Sequence, residues 1–143
     1  MKLLLPLALL SSLSLAPLLP SRDDGPETEL GSHMEKLEDT VKQLRKNLKE
    51  PATYPAALEA LESIQHHSLQ AKKLVPAAAA KLPEGERAAF TRDYRKQMIE
   101  FLRHQLALEE ALLDGNAEAA KAAFDKFREM EDPSHERFAP EEG

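Results

Sequence analysis

Two side chains in this sequence have chemistry that a plain core does not need: the thioether of Met34 and the imidazole of His135. A thioether is a soft, weak donor that favours the reduced form of a metal, and an imidazole is a general nitrogen ligand. On opposite sides of a flat iron macrocycle, the pair fills both axial positions, raises the potential and leaves no vacancy for oxygen chemistry. Such a centre carries single electrons and transforms no substrate. The two residues are far apart in the sequence, so the fold must bring them together.

The periodicity of apolar residues predicts four helices to do this. Leu30, Met34, Leu37, Val41, Leu44 and Leu48 recur at alternating spacings of three and four, which puts them on one face of an amphipathic helix. Pro51 and Pro55 mark the next boundary, after which Leu58, Leu61, Ile64, Gln65, Ser68, Leu69 and Lys72 trace a second helix that Pro76 is expected to end. A third and longest helix starts near Pro83 and Glu84 and turns Phe90, Tyr94, Met98, Phe101, Gln105, Leu108 and Leu112 inward. Gly115 is placed to take the left-handed conformation at a helix end, and Asn116 can cap the helix that follows.

That fourth helix presents Ala120, Phe124, Phe127, His135 and Phe138. If it is continuous, Phe124 and His135 lie within about 20° of one another on the helical wheel. Glu131 interrupts the face and would need a partner such as Arg92 or Arg95 if buried. Pro133 removes a helical hydrogen bond and predicts a kink or an end at Asp132. Four such stripes most simply bury one another in an all-α, antiparallel up-down-up-down four-helix bundle. In that topology the start of the first helix meets the end of the last, and Met34 becomes a neighbour of His135.

Composition excludes several other classes. The 143 residues include ten prolines and no cysteine, so a disulfide, a lipoprotein anchor and a covalent c-type haem motif are all ruled out. Net charge is −6 with both signs interspersed, and no basic stripe is available to neutralise a phosphate backbone, which argues against nucleic acid as a partner. Residues 1–20 read as a signal peptide, with Lys2 as the positive start and Leu3 to Leu10 as the apolar run. Pro6, Ser11 and Ser12 break that run too early for a stable membrane anchor. Residues 21–29 read as a polar linker and residues 30–143 as the folded bundle. Neither a Ser-His-Asp order nor a phosphate loop is present, so enzymatic activity is not expected.

Residues 30 to 138 resemble the cytochrome b562 family, the b-type cytochromes built as four-helix bundles. Met34-Glu35-Lys36-Leu37-Glu38-Asp39, with Leu44 and Leu48, is similar to the family's opening helix, whose early methionine is a haem ligand. Glu110-Ala111-Leu112 leading to Gly115, with His135 twenty residues beyond that glycine, is similar to the last two helices and keeps the interval to the ligand histidine. The resemblance implies one non-covalent haem b with Met34 and His135 as iron ligands. It places Leu37, Val41, Tyr94 and Met98 along the haem pocket and Phe127 and Phe138 beside the histidine. It also implies a monomeric periplasmic electron carrier that meets an unidentified redox partner protein.

Two other readings follow from the residues. One is a haem-free periplasmic bundle that binds or interacts with other proteins. The other is a copper or zinc carrier whose site is built from histidine and methionine ligands, with His66 and His67 together with His33 and His104 as the histidines. Adjacent histidines point about 100° apart on a helix, so only one of His66 and His67 can face a given site. His66, His67 and His104 are expected on the solvated surface. Arg87, Arg92, Arg95, Lys96 and Arg137 lie where they could meet haem propionates, although none is singled out.

Overall fold

A computed structural model describes residues 28–140. The expected signal peptide over 1–20 and linker residues 21–27 lie outside the described residues. Within them the chain is all-helical and has no strand: α1 (Glu29–Asn47), α2 (Tyr54–Ala71), α3 (Glu84–Leu113), α4 (Ala117–Glu129) and α5 (Glu131–Phe138), with short 3-10 turns at Pro51–Thr53 and Ala77–Lys81. Each helix packs on its successor in the chain.

The helix ends are set by local chemistry. Thr28 keeps an extended backbone and its hydroxyl accepts from the Gly31 amide at 2.9 Å, satisfying one of the first-turn donors of α1. Helix α2 ends at Ala71, five residues before the proline expected to stop it; turn hydrogen bonds from Lys73 to Gln70 and from Leu74 to Ala71 finish the helix there. Gly115 has φ 64° and is the residue after the α3 cap, where a side chain would strain the backbone. The Asn116 side chain then accepts from the Ala119 amide at 3.0 Å and caps α4.

The core has two parts. The larger joins Leu37, Val41 and Leu44 of α1 to Leu61 and Ile64 of α2, Leu108 and Leu112 of α3, and Phe124 and Phe127 of α4. Ala57, Ala60 and Ala71 on α2, absent from the expected stripe, are buried, whereas Leu69 is 45% exposed. Small side chains let neighbouring helices approach closely, and a pattern search for large apolar residues passes over them. Between α2 and α3 the Gln105 amide donates to Ser68 Oγ at 2.8 Å and the Gln65 amide to Glu109 at 2.7 Å. The Gln105–Ser68 pair is fully buried, and the Gln105 carbonyl oxygen has no protein partner. The smaller part of the core gathers Ala71, Tyr94, Met98 and Phe138.

Helix α4 does not run to the end of the chain. The break falls at Met130, two residues before the expected Asp132, and α5 starts afresh at Glu131. Pro133 therefore occupies the first turn of a new helix, where the amide that it lacks has no intrahelical acceptor to miss. Phe138 is buried at 7% exposure, whereas His135 is exposed.

These burials predict that Leu44→Ala, in the closed part of the core, costs about 3 kcal/mol. By contrast Leu113→Ala, at a position 68% exposed, changes stability by less than about 0.5 kcal/mol. Urea unfolding followed by helical circular dichroism measures both.

Candidate functional site

Helix α5 is tied to α3 by both polar and aromatic contacts. The Gln97 amide donates to Ser134 Oγ at 3.0 Å, and the Arg137 guanidinium to the Asp93 carboxylate at 2.7 Å. Phe138 lies against Phe90 and Tyr94, with ring centroids 5.2 and 5.5 Å away. Tyr94 is held from the other side, since its hydroxyl donates to the Ala71 carbonyl at 2.9 Å. Burial pushes that phenol up to about 12, so it remains a neutral donor at any ordinary pH.

Docked in this way, α5 roofs a cavity of about 410 Å³ between the start of α1, the segment after α2 and the first half of α3. Small-molecule sites run from roughly 300 to 1,000 Å³. Its apolar wall includes Leu30, Met34, Met98, Phe101, Met130 and Phe138. The small residues Ala77 and Ala78 and the ring of Pro76 leave the space open on the α2 side. A second cavity of about 280 Å³ adjoins the same residues: Met34, Phe101, Glu131 and His135 line both, and Leu37 and Val41 line the second.

Met34 and His135 thus face the same space from different helices. Met34 is half-buried and packs on both parts of the core. His135 is exposed yet lines both cavities, as a residue at their rim does. Tyr94, Met98 and Phe138 line the larger cavity and Leu37 and Val41 the smaller. Phe127 lines neither; it is fully buried and stacks on Phe101 with centroids 4.7 Å apart. Phe101, which pattern reasoning assigned to the core alone, forms the wall that Phe127 supports. Met130 was missed altogether, since its exposure to the cavity follows from the break in the helix.

Glu131 is the one carboxylate lining both cavities. Its partner is Arg128, one turn back on the chain, and not Arg92 or Arg95. Burial raises its pKa, while the Arg128 charge and, more weakly, His135 act in the opposite sense. The cations expected near the propionates are engaged elsewhere in part: Arg87 donates to the Leu82 and Ala80 carbonyls and so fixes the entry to α3, and Arg137 holds Asp93. His67 is half-buried and bonded to His33, in contrast to the solvated position expected for it.

One soft thioether and one imidazole line the same largely apolar space from separate helices. No model of a known protein family matches the chain, and no curated protein matches it by sequence.

Because the folded state favours the protonated form of Glu131, its stabilising contribution is complete below the usual carboxylate range and is lost as pH rises through the raised pKa. The stability of Glu131→Gln relative to the parent should therefore increase between pH 4 and pH 7. Urea midpoints across that range measure it, and a difference that stays flat or falls contradicts the assignment.

Proposed function

We propose that this chain is an antiparallel up-down-up-down four-helix bundle of the cytochrome b562 kind, exported to the periplasm, which holds one non-covalent haem b and passes single electrons to a partner protein. The observation that carries this reading is that Met34 and His135, on α1 and α5, line the same apolar cavity.

The topology is supported by the pairing of consecutive helices and by the order of their contacts. Moving forward along α2 from Gln65 to Ser68, the partners on α3 move backward from Glu109 to Gln105. His33, near the start of α1, reaches His67, near the end of α2. Together with the tight turn at Gly115, these contacts favour alternating helix directions.

In this reading Met34 Sδ and the His135 imidazole would hold the iron, and Tyr94, Met98, Phe101 and Phe138 would line the macrocycle. Bound there, the haem supplies the one-electron couple. The thioether and the apolar residues of the wall would favour the ferrous state, whereas the Glu131 carboxylate, where ionised, would favour the ferric one. Leu37 and Val41 continue the wall on the α1 side. The Gln97–Ser134 and Arg137–Asp93 contacts position the imidazole by fixing α5.

Reconstitution with haem tests the ligands directly. The parent protein should give a Soret band with sharp low-spin α and β bands. Met34→Ala and His135→Ala should each lose the low-spin spectrum while the far-ultraviolet circular dichroism stays helical, and His66→Ala should change neither. A low-spin spectrum unchanged in His135→Ala, or lost in His66→Ala, contradicts the ligand assignment.

A further inference from the structure

Outside that cavity, two histidines from different helices meet ring to ring. His33 on α1 and His67 on α2 place their Nδ1 atoms 2.9 Å apart, with ring centroids at 5.2 Å. Both are half-buried, and His66 packs edge-on against His67 at 5.1 Å, which restrains the plane of that ring. Two Nδ1 atoms at this distance share one proton: one ring donates and the other offers its lone pair. The same two atoms, with the rings turned so that both lone pairs meet one ion, can form a chelate.

We infer that His33 and His67 form a surface copper(II) site that clips α1 to α2, separate from the haem ligands and additional to the electron-transfer reading. Ring centroids at 5.2 Å put both Nδ1 atoms on the line between the rings, so their lone pairs face one another, and each ring must turn by roughly 45° for the two to meet one ion at the cis angle of a tetragonal centre. A tetrahedral structural site asks for more protein ligands than are present. Among the described residues no group of three or more histidine, cysteine or carboxylate side chains is gathered for a metal. Water therefore completes the coordination, which copper(II) with imidazole donors tolerates, and the Irving–Williams order places copper above zinc and nickel.

Binding breaks the hydrogen bond between the rings and turns both of them toward the ion. The proton shared between the rings moves to Nε2 of the donor ring, so two neutral imidazoles take up the ion without net proton release. Burial, followed by the charges of His33, His66 and Lys36, lowers the His67 pKa. His66 is exposed and about 100° away on the helix from its neighbour, so it supports the ring of His67 without ligating.

Copper(II) chloride added to the purified full chain, with and without haem, tests this. One ion per chain should bind, with an electron paramagnetic resonance spectrum of tetragonal type showing two coupled nitrogens, and the melting temperature should rise. His33→Ala and His67→Ala should each weaken binding at least tenfold and remove the two-nitrogen pattern. Met34→Ala, His135→Ala and His66→Ala should leave it intact, and zinc should bind at least tenfold more weakly. Copper binding that survives His33→Ala and His67→Ala, as at the chain terminus, would overturn the proposal. So would its loss in Met34→Ala or His135→Ala, which would move the ion to the cavity, or in His66→Ala, which would make a different histidine the ligand.

Discussion

The stack of Phe101 on Phe127 divides this molecule into a part that is filled and a part that is open. On one side of it, the aliphatic side chains of α1, α2 and α3 and the phenylalanines of α4 close a dry core with Leu44, Leu61, Ile64 and Leu108 fully buried. On the other side the same ring of Phe101 faces the cavities that Met34 and His135 share. Aromatic pairs with centroids near 5 Å gain from both burial and ring geometry. A fully buried ring behind Phe101 gives that wall a rigid backing. The filled part can therefore supply stability while the open part keeps its volume.

What keeps the open part from collapsing is the way its roof is attached. Helix α5 begins at Glu131, after the break at Met130, and its only buried side chain is Phe138. It reaches α3 through that ring, one amide–hydroxyl bond and one ion pair at the surface. Contacts of this kind are individually modest, since exposed ion pairs contribute roughly 0–1 kcal/mol. They fix direction more than they add stability, and direction is what an axial ligand needs. Glu131 stands where this arrangement costs something, as a carboxylate at half-burial whose charge only Arg128 and the nearby imidazole offset.

The helices and most of the inward residues were legible in the sequence because apolar spacings of three and four match a helix face and mismatch the alternation of a strand. Gly115 and Asn116 are strong punctuation between two of those helices. The stripe on α3 from Phe90 to Leu112 corresponds to the buried or half-buried positions there. Three features were hidden for definite reasons. The alanines of α2 are buried by the closeness of neighbouring helices, which no hydropathy scale registers. The break at Met130 precedes Pro133 because proline has no amide to donate to the carbonyl four residues back, Glu129, and its ring crowds that carbonyl, so the sequence locates a boundary only to within a few positions. The contact of His33 with His67 joins residues on two helices, and nothing within either helix signals it. Candidate ligands were legible as types, and Met34 and His135 were named from type, interval and family resemblance; their sharing of a cavity depends on α5 and had to be found in three dimensions.

Iron K-edge absorption of the haem-reconstituted protein tests the central claim most directly, because it counts the atoms bound to the metal. The account predicts six-coordinate iron with one sulfur and five nitrogens, four from the macrocycle and one from an imidazole. A shell of nitrogen and oxygen alone, or a protein that takes up no haem and melts at the same temperature in its presence, would contradict it.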